Sequence, residues 1–193
     1  MNSLGLIAKR FCVAVWIAIP VTCLAIYIYD PRSFTAESIA AFLKHFENEI
    51  LFAYLGISIA RGLTLLPSTP LVIAGTMIFP ESPALVLLIS IFGIFVSSSM
   101  IYFFSDHLGF SEYFERKRPE QIHKIKRQLE KPLGIFFVFI WAFFPFVPTD
   151  AICYVAGTSR MTFWKFIIAI LLGEFVLCSF YVFSGGYLMH IFR

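Results

Sequence analysis

Two long apolar stretches of the chain are each interrupted by a Pro-x-x-Pro motif, and this limits the available folds. The stretches cover residues 50–80 and residues 132–159. Their motifs are formed by Pro67 and Pro70 and by Pro145 and Pro148. Proline removes a backbone donor and clashes inside a helix, so each stretch should form two short helices joined at the break.

Three further apolar stretches, residues 11–29, 83–105 and 161–189, have the length of about 20 residues that a membrane-spanning helix needs. The chain is 59% hydrophobic and only 14% charged, whereas a soluble domain carries about 25% charged residues. Too few polar groups remain to cover a water-facing surface. The sequence therefore predicts an all-α polytopic membrane protein.

The charges between these stretches predict the orientation of the chain, because Lys and Arg favour the cytoplasmic side. Lys9 and Arg10 place the N-terminus in the cytoplasm. Residues 106–131 hold seven basic and five acidic residues and form a predicted cytoplasmic loop. Residues 30–49 hold two basic and four acidic residues and fit the outer side.

Counting crossings then makes both broken stretches re-entrant. The stretch at about 50–80 must begin and end outside, and the stretch at about 132–159 must begin and end inside. A broken backbone at membrane depth is tolerated only where protein or a wet cavity surrounds it. We therefore expect two hairpins that enter the membrane from opposite sides.

An internal repeat supports this arrangement. Each half reads as a broken hairpin, an Ala-Gly-Thr sequence, and a helix with a Gly and a Tyr. The matching positions are Ala74-Gly75-Thr76, Gly93 and Tyr102 in one half, and Ala156-Gly157-Thr158, Gly173 and Tyr181 in the other. Inverted repeats of this kind are typical of transporters, with a site between the broken segments. Gly93 and Gly173 should allow close helix approach.

The predicted organisation has two parts. Residues 1–49 form an N-terminal transmembrane helix and an amphipathic interfacial helix, and residues 50–193 form the inverted repeat of re-entrant hairpin plus transmembrane helix. The amphipathic helix is predicted over residues 34–49, from apolar positions at Phe34, Ile39, Phe42, Leu43 and Phe46. Residues 112–131 should form a charged helix, either solvated in the cytoplasm or a sensor of lipid headgroups.

Three ionisable residues within the apolar stretches are candidates for function, because a charge inside a membrane is costly. Arg61 is expected either to contact an anion such as phosphate or to pair with Asp150 or Glu174. Asp150 follows a proline, so helix capping is an alternative role for it. Glu174 is expected to carry a proton or to bond a neighbouring helix. Lys165 can reach the cytoplasmic interface and is discounted.

Hydroxyl side chains at the breaks are further candidates for substrate contact, or for satisfying freed backbone groups: Ser68, Thr69 and Thr149. The four Cys and four His show no spacing typical of metal ligands, so neither a metal nor a cofactor is expected. A net charge of +3 is too small to suggest nucleic acid. No nucleophile–base pattern or phosphate-binding loop occurs in the sequence, which disfavours an enzyme.

Residues 50–190 resemble the DedA/VTT-domain superfamily, also called SNARE-associated Golgi proteins. In the first half the resemblance depends on Leu66-Pro67-Ser68-Thr69-Pro70, Ala74-Gly75, Gly93, Tyr102 and Gly109. In the second half it depends on Phe144-Pro145-Phe146-Val147-Pro148-Thr149-Asp150, Tyr154, Gly157 and Met161.

The resemblance implies two facing re-entrant hairpins, built on Pro67, Pro70, Gly75, Pro145, Pro148 and Gly157, and a role in moving or scrambling lipids. Bacterial relatives are linked to proton-dependent translocation of polyprenyl-phosphate carriers, which suggests the bacterial inner membrane, with lipids and protons as partners. That branch tends to carry acidic residues in the first hairpin and arginines in the second. Here the charges are reversed, and Ala142 stands near the expected arginine.

The sequence leaves two other functions open: a non-transporting scaffold for envelope homeostasis and a transporter of small ions or metabolites. It also leaves open whether the chain forms a homo-oligomer.

Overall fold

A computed structural model of the chain describes residues 3–64, 67–107, 117, 119–145 and 147–191. These residues form helices and connecting turns, with no β-strand among them. The α-helices, numbered in chain order, are α1 (Ser3–Tyr29), α2 (Ala36–Lys44), α3 (Ile50–Ala60), α4 (Thr69–Ile78), α5 (Pro83–His107), α6 (Pro119–Leu129), α7 (Pro132–Phe143), α8 (Thr149–Thr158) and α9 (Phe163–Ile191). Leu66 and Gly109, which carry part of the resemblance, lie outside the described residues.

The first broken stretch forms two short helices, as its prolines predict. Helix α3 ends at Ala60 and continues into a 3₁₀ turn over Arg61–Leu63, and α4 begins at Thr69 with Pro70 in its first turn. The two arms have 11 and 10 residues. At 1.5 Å per residue each arm is about 15 Å long, roughly half of the hydrocarbon core.

The second broken stretch repeats this design. Helix α7 has 12 residues and starts at Pro132, where the missing N–H needs no partner. Helix α8 has 10 residues, and Pro148 occupies the position just before it. Neither arm is long enough to cross a bilayer on its own. We call α3–α4 and α7–α8 the first and second hairpins.

The two long helices α5 and α9 follow the hairpins. Each contains a segment that is long and apolar enough to cross a membrane, Pro83–Ser105 in α5 and Phe163–Ser184 in α9. Large apolar side chains on both helices are exposed, which marks a surface that contacts lipid rather than water. They include Leu88, Phe92, Phe103, Trp164, Ile168, Leu172 and Phe180.

The long helices exchange partners between the two halves of the chain. Helix α5 packs on α3 of its own hairpin and on α8 of the other hairpin. Helix α9 packs on α7 of its own hairpin and on α4 of the other, and α5 and α9 also contact each other. The core therefore lies where both hairpins meet both long helices.

Glycines permit two of these contacts, as their matching positions predict. A Cβ added at Gly93 would lie 2.8 Å from the Cβ of Ser58 in α3. A Cβ at Gly173 would lie 2.5 Å from the backbone oxygen of Phe139 in α7. Any larger side chain would push each long helix away from the first arm of its own hairpin.

The N-terminal region differs in part from the prediction. Helix α2 is shorter than the expected 34–49 segment, and 3₁₀ turns flank it at Pro31–Phe34 and Glu47–Glu49. Of the predicted apolar positions, Leu43 is buried, whereas Phe42 and Phe46 are exposed on the surface of the helical fold. The other buried residues of α2 are Ala36 and Ala40, whose small side chains let this helix lie close to α4.

The remaining predicted helices are present. Helix α1 includes residues 11–29 of the expected first span and contains Pro20. Helix α6 covers part of the expected charged helix and packs on α7; residues 108–116 and 118 of that region lie outside the described part. The hydroxyl of Thr162, just before α9, donates to Glu130, just after α6, at 3.1 Å.

Candidate functional site

The tips of the two hairpins meet in the middle of the helical core. The hydroxyl of Thr69, at the start of α4, donates to the backbone oxygen of Pro145 in the second break, at 3.5 Å. The indole N–H of Trp141 donates across the same break to the backbone oxygen of Pro148 at 3.4 Å. These bonds use polar groups that the prolines have freed from helical pairing.

A single carboxylate connects both tips to a long helix. Glu174 of α9 is fully buried. Its Oε2 accepts a hydrogen bond from Ser68 of the first hairpin at 3.3 Å, and its Oε1 accepts one from Thr149 of the second hairpin at 2.5 Å. The thiol of Cys178, one turn further along α9, lies 3.8 Å from Oε2. The expected hydrogen bond between Glu174 and a neighbouring helix is therefore present, and two such bonds are formed.

The remaining two ionisable candidates form an ion pair between the hairpins. Nη1 of Arg61 lies 3.5 Å from Oδ2 of Asp150, and both side chains are buried. The sequence offered both Asp150 and Glu174 as possible partners of Arg61, and the salt bridge is formed with Asp150. Glu174 also interacts with Arg61 electrostatically. We call Arg61, Asp150, Glu174, Ser68 and Thr149 the central cluster.

Asp150 does not cap helix α8, although capping was one expectation for it. It lies in the first turn, after the capping position at Pro148, and no side chain caps that helix end. Its Oδ1 accepts no hydrogen bond from any residue that the structure describes. The charged form of Asp150 is therefore stabilised mainly by the guanidinium of Arg61, because a buried polar group without a partner is costly.

The charges of the central cluster do not balance. It contains one guanidinium and two carboxylates, so the fully ionised cluster has one excess negative charge. Removing a charge from water without a partner costs several kcal/mol. The cluster is therefore suited to holding one more positive charge, and a proton on a carboxylate is the simplest way to supply it.

Close packing shapes the wall around the cluster. A Cβ at Gly62, next to Arg61, would lie 2.1 Å from the Cβ of Ser97 in α5. The thiol of Cys153 donates to the backbone oxygen of Thr149 at 3.3 Å. Helix α5 therefore packs closely against the turn that carries Arg61.

The two glycines of the repeated Ala-Gly-Thr sequence also lie at tight contacts. A Cβ at Gly75 would lie 2.3 Å from the hydroxyl oxygen of Tyr54, and a Cβ at Gly157 would lie 2.0 Å from Oγ of Ser105. The hydroxyl of Tyr54 is in turn 3.2 Å from that of Ser90 in α5. Tyr54 and Ser90 were not predicted, because one tyrosine in an apolar stretch carries no distinguishing pattern.

A cavity of about 280 Å³ lies beside the first hairpin and reaches Arg61. One wall comes from the end of α1, the turn after it and α2, and includes Tyr27, Phe34 and Phe42. The opposite wall comes from the first hairpin, and Arg61 is the charged residue in the lining. An amphiphile with a negative end fits such a lining by charge and by polarity.

No three His, Cys, Asp or Glu side chains within the described ranges are grouped so that they could hold a metal ion. The central cluster itself offers a guanidinium, two carboxylates and hydroxyl donors, which can form ion pairs and hydrogen bonds and can bind protons.

Comparison with known proteins gives one family. The family model for the VTT domain matches residues 66–187, which is more than half of the chain. Neither curated proteins nor solved structures gave a match to the chain. The matched segment starts inside the first break, so Arg61 and helices α1 to α3 precede it. From this match and its two membrane-length apolar helices, the chain belongs to the VTT-domain family of membrane proteins, which is the DedA or SNARE-associated Golgi protein family.

Proposed function

We propose that this protein moves lipid phosphates or phospholipids between the leaflets of a membrane, without changing them chemically. The observation that carries the proposal is the central cluster, where the two broken hairpins and α9 bring Arg61, Asp150 and Glu174 together. Ionisable groups at such a depth are costly, so they are retained where a substrate or proton path needs them.

In this proposal the two halves are an inverted repeat. Each long helix contacts the first arm of its own hairpin and the second arm of the other, which is the exchange that a two-fold relation between the halves would produce. The first hairpin then enters from the outer side and the second from the cytoplasm. The distribution of basic residues supports a cytoplasmic N-terminus, and the resemblance to bacterial relatives suggests the bacterial inner membrane as the location.

Arg61 would bind the headgroup by exchanging partners. A guanidinium presents a planar fork of donors that suits phosphate as well as carboxylate. When a phosphate pairs with the guanidinium of Arg61, Asp150 loses its cationic neighbour. Its carboxylate then stays buried with no hydrogen bond from a described residue. Uptake of a proton removes that uncompensated charge. Lipid binding and proton binding are coupled by this exchange.

Glu174 would couple the two hairpin tips. It accepts hydrogen bonds from Ser68 and Thr149, so protonation of Glu174 removes an acceptor from one tip or the other. A tip that loses its bond is freer to separate from its partner. The same carboxylate therefore provides a second point at which a proton can change the contact between the hairpins.

Transport by the purified protein in liposomes tests the proposal. The probes are a fluorescent phospholipid and a fluorescent polyprenyl phosphate, each with and without an imposed pH gradient. We expect transbilayer movement of at least one probe, with a pH dependence that Asp150→Asn reduces. The matched control is Lys165→Gln, which removes an exposed charge and should leave the rate unchanged. Failure of every lipid class to move, at any gradient, would refute the proposal.

A non-transporting membrane scaffold is the second candidate. The observation that favours it is the Arg61–Asp150 pair, which holds the two hairpins closed. The charge-swapped variant Arg61→Asp with Asp150→Arg separates the two functions. Recovery of both expression and cellular function favours a purely structural pair. Recovery of expression without function favours contact of Arg61 with a ligand. A metabolite-uptake assay on the same liposomes tests the third class, a transporter of small solutes.

A further inference from the structure

The cavity beside the first hairpin has two walls of different origin. One wall belongs to the hairpin, through Ile57, Ala60 and Pro70. The other wall is the N-terminal region, through Tyr27, Phe34 and Phe42. The rings of Tyr27 and Phe34 pack edge to face with centroids 5.8 Å apart, which joins the end of α1 to the turn before α2.

This N-terminal wall is fixed to the hairpin rather than loosely laid on it. Helix α2 packs on α4, and Ala36 and Ala40 of α2 form a small buried cluster with Ala74 of α4. Thr35 caps α2, and its hydroxyl accepts from the backbone N–H of Ser38. The wall is thus a folded part of the site, although it precedes the segment that the family model matches.

Charge and size define what fits the cavity. Among the described residues that line it, Arg61 of the central cluster is the charged side chain, and the rest of the lining is mainly apolar. Ala60 and Phe42 are exposed, so the cavity opens to the outside of the molecule. Its volume of about 280 Å³ is near the lower end of the roughly 300–1,000 Å³ typical of pockets that take a whole small molecule.

We infer that this cavity binds the phosphate headgroup and the first part of one hydrocarbon chain of a membrane lipid, with the N-terminal region as a required wall. The phosphate contacts Arg61, and the chain leaves between Ala60 and Phe42 toward the surrounding lipid. The inference builds on the proposed function, because it gives the lipid a first binding position next to the cluster. It adds a role for residues 27–42.

The fit follows from two properties of the site. A guanidinium that is nearly buried gains more from an anionic partner than an exposed one does, because water screens it less. An apolar lining favours a hydrocarbon chain over a free ion, since the chain removes apolar surface from water. Inorganic phosphate alone would satisfy only the first property.

Protection of a single cysteine tests the inference. Ser33→Cys, a nearly isosteric change in the cavity lining, is made in a background in which Cys12, Cys23, Cys153 and Cys178 are replaced by alanine, and its reaction with a maleimide is timed in detergent. Dodecyl phosphate should slow the reaction by one plus the ratio of its concentration to Kd, about tenfold at ten times the Kd. Leu172→Cys, an exposed position on α9 that does not line the cavity, should react at an unchanged rate.

Two variants and two further probes complete the test. Ala60→Phe fills the cavity from an exposed position without touching the ion pair, and it should abolish protection with the fold intact. Arg61→Gln should also abolish it, and Ala60→Phe keeps the test valid if Arg61→Gln does not fold. Equal protection by dodecyltrimethylammonium would overturn the role of Arg61. Protection by inorganic phosphate at the same concentration would overturn binding of a lipid.

The same preparations separate this inference from the proposed function. The wild-type protein is measured in both assays, protection of the cysteine in detergent and lipid movement in liposomes. Lipid movement without protection by dodecyl phosphate overturns the cavity as a binding site and leaves the transport proposal standing. Protection without movement of any lipid establishes the site and overturns transport.

Discussion

Neutralising the one cation of the central cluster should destabilise the protein far more than neutralising one carboxylate. Arg61→Gln leaves Asp150 and Glu174 together in the core, so the ionised cluster changes from one to two excess negative charges. Asp150→Asn leaves Arg61 with Glu174, and the ionised cluster becomes neutral. The two substitutions remove the same ion pair, so the inequality depends only on what remains.

The geometry gives the size of the effect. At the observed Nη1–Oδ2 distance of 3.5 Å and an effective dielectric constant of about 20, the Coulomb energy of the pair is roughly 5 kcal/mol. Removing one partner of a buried pair typically costs about 3–5 kcal/mol, and we expect this for Arg61→Gln. For Asp150→Asn we expect about 1 kcal/mol, the scale of a neutral hydrogen bond.

Reversible unfolding in mixed micelles of a mild detergent and dodecyl sulfate, followed by circular dichroism, measures these free energies. The double variant Arg61→Gln with Asp150→Asn should be more stable than Arg61→Gln alone, because one stranded carboxylate is gone. Lys165→Gln, at an exposed position, is the control and should change stability by less than about 0.5 kcal/mol. The reasoning is refuted if Asp150→Asn costs as much as Arg61→Gln.

Three further predictions concern packing and hydrogen bonds around the cluster. Gly173→Ala places a Cβ 2.5 Å from a backbone oxygen, so it should lower the free energy of unfolding by about 1–3 kcal/mol in the same assay. The control is Gly56→Ala, whose added Cβ meets nothing within 4 Å, and it should leave the stability unchanged or raise it. Glu174→Gln keeps an acceptor for the hydroxyls of Ser68 and Thr149, so this variant should fold, and its transport in liposomes should lose part of its pH dependence. Glu174→Leu leaves both hydroxyls without that acceptor and should lower the melting temperature markedly. Equal melting temperatures for the two variants would contradict this. Tyr102→Phe removes the hydroxyl that donates to the backbone oxygen of Met161 and should cost about 1 kcal/mol, measured against Phe92→Leu at an exposed position of the same helix.

The positions of the two helix breaks can be predicted from the sequence, because proline acts locally. The four helix ends at the two breaks follow from Pro67, Pro70, Pro145 and Pro148, whose effect on a helix needs no distant partner. The close contacts at Gly93 and Gly173 also follow, since a small residue at matching depth has few other uses in an apolar helix. Arg61, Asp150 and Glu174 were singled out by the cost of charge in an apolar stretch.

The partners within the cluster could not be predicted in the same way. Whether Arg61 pairs with Asp150 or Glu174 depends on how two hairpins far apart in sequence pack together, and no local pattern encodes that choice. Tyr54 likewise gains its role from a glycine on another helix. The burial of Ala36 and Ala40 on α2 was not predicted, because the sequence argument followed only large apolar residues such as Leu43, and close approach of two helices also uses small side chains.

The exchange of partners between the halves has a consequence for biosynthesis. Arg61 belongs to the first hairpin, but neither carboxylate of the cluster has been made when that hairpin leaves the ribosome. Asp150 follows about ninety residues later, which at 5–20 residues per second is a delay of roughly 5–20 s. During that interval a charged side chain must wait at the insertion machinery or in the lipid, and helix α5 must wait for α8, its partner from the other hairpin. The membrane insertion of the first half can therefore be completed only by the translation of the second.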